Sequence, residues 1–424
     1  MKFMVQRDAF AEAVAWAARA LPTRPVIPVL AGLLLQATGD RLTLACFDYE
    51  VSARVAIPAE VAEPGTVLVP GRLLVEITRS LPGLPVEFSD DPDGVSLSCG
   101  EVSFTLVTLP REEYPALPEL PQLAGTVDGA AFAAAIGQVT PAASKDDTLP
   151  LLTAVHLELA GPAMTLAATD RYRLAVRDLP WDPVPGHDQA AVLVPARVLA
   201  DAARMMSPGL SVRIMLREGG DDADSGAPRA RDGAMIGFES GGRRLTTRLL
   251  AGEFPRYRSR FPEHFDCVAD LPAGPFAEAV RRVSLVAERG TPVQLTFTPG
   301  RVTIVAATQG QARARESLPA LFSGEEPAIA FSPHYLLDGV VAAAGDASGP
   351  PGPAPAGDPA APDGDAARDD AGDPASAAEA EARVRLRFTS PSKPAVITLA
   401  PPADGAGDPE SGFRYLVVPQ RVAQ

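Results

Sequence analysis

The sequence predicts an α+β chain built from three similar domains, each with two helices packed on antiparallel sheets. Three observations predict it. An apolar strand running into a polar turn occurs as TLACFDYEVSARV, TLAATDRYRLAV and TIVAATQGQARAR, starting at Thr43, Thr165 and Thr303, with separations of 122 and 138 residues. An alternating apolar strand that ends in proline where a helix begins recurs around Pro70, Pro195 and Pro333. An amphipathic helix opens each copy, with Phe10, Phe132 and Phe276 in matching places. Such a period identifies one supersecondary unit written three times.

Taken in order, the first copy reads as the helix DAFAEAVAWAARALP, the strand pair from Thr43, the helix after VLVP, and a closing strand in FTLVTLPREEYP. The second repeats this as DGAAFAAAIGQVTPAA, the pair from Thr165, VLVPARVLADAARMM and LTTRLLAGEFPRYR. The third runs GPFAEAVRRVSLVAER, the pair from Thr303, FSPHYLLDGVVAAAG and FRYLVVPQRV. Proline suits the first helical position, where its missing N–H would have no partner anyway. These copies place the domains at 1–121, 127–253 and 267–424. Within the third, residues 344–382 hold nine acids, one base and seven prolines, with no Val, Ile, Leu, Met or aromatic residue. That composition buries too little surface to offset chain entropy, so a disordered acidic insertion is expected. A shorter polar break at 219–233 reads as a hairpin tip.

Composition narrows the function classes. The chain has 424 residues and a formal charge of −15. It has no uninterrupted apolar run of membrane-spanning length, and the charged start MKFMVQRDAF lacks a signal-peptide core, so a cytoplasmic protein with no membrane partner is expected. Three scattered cysteines, Cys46, Cys99 and Cys267, form no disulfide framework and read as buried small hydrophobes. The three lysines (Lys2, Lys145, Lys393) never follow glycine, which excludes a P-loop. His156, His187, His264 and His334 stand apart from other ligand types, so no metal or other cofactor is expected, and no G-x-S-x-G elbow occurs. An enzyme or a repeat scaffold unrelated to DNA remains the competing class.

In the second helix of the first two copies, Arg72, Glu76 and Arg79 match Arg197, Asp201 and Arg204 at spacing four then three, which puts the charges on one stripe. Leu73, Ile77, Val198 and Ala202 are then expected to face the sheet. The stripe reads either as a solvated ion-paired face or as part of a shared basic surface.

These segments, with Arg24 in LPTRPVIPVLAGLLL, VAERGTP, GEFPRYR and the terminal YLVVPQRV, resemble the beta subunit of bacterial DNA polymerase III, the sliding clamp, in its actinobacterial form. The resemblance implies the DNA clamp fold in a head-to-tail dimeric ring around duplex DNA. Such a ring tethers the polymerase III alpha subunit and is opened by a clamp loader, so it acts by topology without a catalytic site. It implies phosphate contacts at Arg24, Arg72, Lys145, Arg197 and Arg204, weak and blind to sequence. It places Phe104 and Leu106 of one protomer against Leu285 and Val286 of the other; the competing reading of these four is ordinary core.

The resemblance also implies a peptide-binding pocket formed by Leu152, Thr169, Arg171, Tyr172, Arg173, Leu174, Pro255, Tyr335, Val418, Pro419 and Arg421. Two positions depart from the family pattern. Ser259-Arg260 stands where the second residue is usually apolar, and Gln420 replaces a usually apolar residue. A guanidinium at Arg260 is expected to fold over the rim or pair with an acid, since burying it alone is costly. The implied outcome is a copy that binds partner peptides differently, as a version resistant to a clamp-directed peptide antibiotic would; drift at a rim position is the alternative.

Overall fold

The computed structural model describes residues 1–91, 94–187, 189–206, 209–217, 233–288, 290–308, 312–325, 328–345, 382–401 and 412–421. The acidic insertion, apart from its ends, and the break at 219–233, apart from Gly233, lie outside the described residues. The chain divides into two compact units: residues 1–133, 156–164 and 180–253 form the first, and residues 134–155, 165–179 and 254–424 the second.

Six α-helices occur among the described residues: α1 Arg7–Ala17, α2 Gly71–Ser80, α3 Gly129–Val139, α4 Ala196–Ala203, α5 Ala273–Ser284 and α6 Pro333–Gly345. Each follows a strand, respectively Lys2–Val5, Gly65–Pro70, Gln122–Asp128, Gln189–Pro195, Cys267–Pro272 and Ala328–Phe331. The strand-to-helix switch is local chemistry. Pro70, Pro195 and Pro272 each end a strand and sit at the N-cap, one residue before the helix, whereas Pro333 is the first helical residue. Proline cannot donate to a ladder, and its fixed φ already suits a helix. At α3 the Asp128 carboxylate does the capping, accepting the Ala131 N–H at 2.8 Å.

Phe10, Phe132 and Phe276 are all buried, as the repeated helix pattern predicts. In α2 the expectation for Leu73 is overturned: Gly71, Leu74, Ile77 and Thr78 face inward and Leu73 is exposed. The cause is the starting phase, because a helix beginning at Gly71 turns the next residue in the stripe to Leu74. In α4, Val198 and Ala202 are buried as expected. The third copy's second helix continues to Gly345, so it takes in the first two residues assigned to the insertion.

Among the described residues, strand pairing is antiparallel throughout the nine-stranded sheet of the first unit. In the first unit, nine strands run in the order Asp182–Pro183, Gln122–Asp128, Ser211–Arg217, Met235–Ser240, Arg243–Arg248, Val51–Pro58, Arg41–Phe47, Gly32–Thr38, Gly65–Pro70. The closing strand of the second copy, Arg243–Arg248, therefore pairs with the hairpin of the first, Leu245 opposite Ala53. In the second unit the closing strand of the third copy, Phe413–Val417, pairs in the same way with the second copy's Arg173–Pro180, Tyr415 opposite Ala175. Two strands are left at sheet edges by this scheme: the first copy's closing strand Val102–Leu106 and the third copy's hairpin strand Ala312–Pro319.

Cys46, Cys99 and Cys267 are buried and free. Burial pushes the Cys46 thiol up to about 12, and its S–H donates to the Ala17 carbonyl at 3.0 Å. Among the described residues no helix is long and apolar enough to cross a membrane.

Candidate functional site

The turn in TLAATDRYRLAV organises the site in the second unit. Asp170 Oδ1 accepts the N–H groups of Tyr172 and Arg173, both at 3.0 Å, and Thr169 Oγ1 donates to the Arg173 carbonyl at 2.6 Å. This side-chain-closed turn lets Arg171 adopt a left-handed conformation, φ 79°. It also aims Tyr172 outward and Arg173 inward.

Arg173 is the hub, with a side chain only 7% exposed. Its Nε donates to Asp170 Oδ2 at 3.0 Å, it pairs with Asp338 of α6, it lies 3.4 Å from the Tyr415 hydroxyl, and its guanidinium carbon is 4.5 Å from the centre of the Tyr335 ring. Burial opposes its charge, but Tyr415, Asp338 and Asp170 together hold its pKa above the ordinary guanidinium value. Tyr415, raised by burial, donates its hydroxyl to the Tyr335 carbonyl at 2.9 Å. Tyr335 stacks on Tyr172 with centroids 6.1 Å apart. Burial first, then the Arg173 charge, lower the pKa of neighbouring His334. The network thus fixes two aromatic rings at the mouth of the site.

Beside it lies an apolar cluster of Ala167, Leu174, Val176, Tyr257 and Leu416, with half-buried Phe254, Phe261 and Val418 packed against it. The segment FPRYRSRF lays Phe254, Tyr257 and Phe261 on this cluster while Pro255, Arg256, Arg258, Ser259 and Arg260 are exposed. The Val418 N–H donates to the Tyr172 carbonyl at 2.9 Å, and the Gln420 N–H to the Ala330 carbonyl at 2.7 Å. Pro419, Gln420 and Arg421 also line a cavity of about 670 Å³ with Gln294, Ala330 and Ser392. Nothing in the local pattern of the sequence points to those last three: Ala330 joins through its bond to Gln420, Gln294 through pairing with Ala330, and Ser392 from the turn before the strand Ala395–Leu399. Leu152 is buried, its carbonyl accepting the Ser144 N–H at 2.8 Å. Arg260 is exposed and its backbone N–H donates to the Tyr257 carbonyl at 2.9 Å, so its own charge is not buried among the apolar walls.

Arg24, Arg72, Arg197 and Arg204 all fall in the first unit and are exposed. Arg24 and Arg197 line a cavity of about 640 Å³ together with Arg19, Trp16, Asp48 and Asp201. Arg72 donates to the Pro22 carbonyl at 3.2 Å, tying α2 to the loop that carries Arg24. Asp201 holds Arg204 at 2.6 Å and Arg19 at 3.9 Å. Arg19 belongs to this cluster although spacing alone gave no reason to place it there. Lys145 is exposed in the second unit. Of the four interface candidates, Phe104 is half-buried on the edge strand and Leu106 is 2% exposed within its own sheet; Leu285 caps α5 at 85% exposure and Val286 follows it, half-buried. Val102 and Val107 are the exposed apolar residues of that edge.

Residues 1–118, 126–256 and 258–347 match the N-terminal, central and C-terminal domains of the DNA polymerase III beta subunit. A beta sliding clamp of Streptomyces coelicolor is 45% identical over 423 residues, covering 100% of both chains. One of Micrococcus luteus is 48% identical over 75% of this chain and 99% of its own. The beta sliding clamp homolog GriR of Streptomyces muensis is 43% identical over 80% of this chain and 88% of its own. In fold, the chain is similar to the Bacillus subtilis clamp (TM-score 0.79, 23% identity) and to a Pseudomonas aeruginosa clamp bound to griselimycin (TM-score 0.79, 24% identity), each match covering 100% of both chains.

Proposed function

The chain belongs to the DNA polymerase III beta subunit family, the beta sliding clamps, and on that premise we propose that two copies close head to tail into a ring around duplex DNA in the cytoplasm. The ring tethers the replicative polymerase and is placed by a clamp loader. One observation carries this. Each closing strand pairs with the hairpin of the preceding copy, which leaves Val102–Leu106 and Ala312–Pro319 as the two open ends of a single pairing rule. Joining the first end of one protomer to the second end of another satisfies the same rule, removes both exposed edges and closes a cyclic dimer. The exposed Val102, Val107 and Leu285 supply apolar contact for that joint, with Phe104 and Val286 beside them, while Leu106 supports the strand from behind.

Function by enclosure requires loose contacts. Single exposed guanidiniums at Arg24, Arg72, Arg197 and Arg204, and the Lys145 ammonium, provide sequence-blind contacts that salt weakens. No step of this function needs a catalytic group. The experiment is retention on DNA: clamp loaded on a nicked circle should persist through gel filtration and be lost once the circle is cut. Equal retention on linear and circular DNA would sink the reading, as would a monomer at micromolar concentration.

The apolar cluster framed by Tyr172, Tyr335 and Val418 serves as the docking site for partner peptides, since it combines apolar walls with a few fixed polar groups. Arg260 and Gln420, polar where the family pattern is apolar, support a copy whose pocket handles peptide ligands differently, including a peptide antibiotic directed at clamps. The similarity to GriR and the fold shared with the griselimycin-bound clamp favour that direction. Affinity for a polymerase-derived clamp-binding peptide and for griselimycin, measured before and after Arg260→Leu, tests it; unchanged affinities for both would remove the idea.

A further inference from the structure

We propose that the exposed guanidiniums around the apolar cluster, those of Arg171, Arg256, Arg260 and Arg421, make this site select peptides carrying aspartate or glutamate beside their apolar anchors. The inference rests on the peptide-docking reading above and names the partner chemistry that reading leaves open.

The chain as a whole is strongly acidic, with a formal charge of −15, yet the eight residues from Phe254 to Phe261 contain three arginines and no acid. The spacing is structural. Because Phe254, Tyr257 and Phe261 are held on the cluster, the arginines between them are set at its rim. The Val418–Tyr172 bond brings the turn that carries Arg171 alongside the stretch that contains Arg421.

Arg258 lies over the Tyr257 ring, and the other positive groups discussed here fall into two classes. Arg173 is neutralised by Asp170 and Asp338, and Arg414 by Asp178 at 2.8 Å while it lies over Phe261. Those carboxylates are therefore occupied. Among the described residues, Arg256, Arg260 and Arg421 make no ion pair with any acid. Arg171 acts on Asp146, whose carboxyl is held below its usual range mainly by Thr148 and in smaller part by Arg171. Glu253 and Glu263 are exposed at either side of the tract. Unengaged guanidiniums offer planar, paired donors that match a carboxylate, and they repel a basic flank. The apolar cluster then provides the anchorage and the rim provides the choice.

The test uses fluorescein-labelled nonapeptides that share a core of two leucines and a phenylalanine and differ only in flanking residues: Asp and Glu, Asn and Gln, or Lys. Anisotropy gives affinities for the full-length protein, for Arg256→Gln/Arg260→Gln and for Arg41→Gln as a distant control. The acidic peptide should bind about fivefold or more tighter than the amide peptide at about 0.05 M salt, and the ratio should fall below about twofold at about 0.3 M salt. The double substitution should reduce the low-salt ratio to about twofold or less, while Arg41→Gln leaves it unchanged. Equal binding of acidic and amide peptides, or a preference that survives the double substitution, overturns the proposal while leaving peptide docking intact. Failure of all three peptides to bind overturns docking at this site and the proposal together. Thermal melting of each variant excludes unfolding as the cause.

Discussion

Asp170→Ala is the substitution that best separates a built site from an incidental arrangement. The Asp170 side chain is 12% exposed and accepts three hydrogen bonds at 3.0 Å, from two backbone N–H groups and from Arg173 Nε. Its removal strands two amides and takes one of two carboxylates from a buried guanidinium. Breaking a buried ion pair by deleting one partner costs about 3–5 kcal/mol, and Asp338, being 39% exposed, compensates only in part. A loss of about 3 kcal/mol is therefore expected, which in a unit of roughly 200 residues lowers Tm by about 6–12 °C. Asp170→Asn keeps the acceptor for the amides and should lose about half as much. Both tryptophans, Trp16 and Trp181, lie in the first unit, so fluorescence would miss the change and calorimetry is the assay. Glu278→Ala, which removes the exposed partner of Arg282, is the control and should do nothing measurable. If Asp170→Ala shifted the second unit's transition no more than that control, the turn would not be what holds Arg173.

Gly94 sits at φ 142°, and a Cβ there would lie 2.3 Å from the Leu106 carbonyl oxygen, so Gly94→Ala should displace the edge strand and shift sedimentation from dimer toward monomer. His334 has a lowered pKa, so the folded state binds its proton less readily than the unfolded state; stability contributed by the neutral ring should decline as pH falls through about 6.5, and His334→Gln should flatten that part of a pH–Tm profile. Burial and the pKa of about 12 make Cys46 inert: a disulfide reagent at about pH 8 should label it only in denaturant, and rapid labelling of the native protein at this residue would contradict the packing.

The repeats were legible because they are written in local periodicity. Buried phenylalanines at matched helix positions and prolines at strand ends need no tertiary information. The phase of α2 was not legible to one residue, because it depends on where the Gly65–Pro70 strand stops, and that is set by pairing with Gly32–Thr38. Arg173 could be assigned to the site from its motif, but its ion partner Asp338 lies 165 residues away on another repeat's helix. Gln294 joins the terminal residues through its pairing with Ala330, and Ser392 through the turn that precedes a strand paired with Phe413–Val417. The exchange of closing strands between copies, which says which ends remain open, follows from long-range pairing that no window of sequence contains.

One signal in the sequence was richer than periodicity alone conveys. Among the described residues, Tyr49 and Arg171 are the non-glycine residues with positive φ, at 76° and 79°, and they occupy the same place in the first and second copies. In each, an aspartate one residue earlier accepts the N–H groups two and three residues ahead of it: Asp48 from Glu50 and Val51, Asp170 from Tyr172 and Arg173. The aspartate closes the turn, and the residue three positions on points inward from it. In the first copy that residue is Val51, lining the arginine-bearing cavity. In the second it is Arg173, which recruits Asp338 and fixes Tyr335. The same backbone device therefore supports two different sites, and the difference between them begins with what occupies a single inward position.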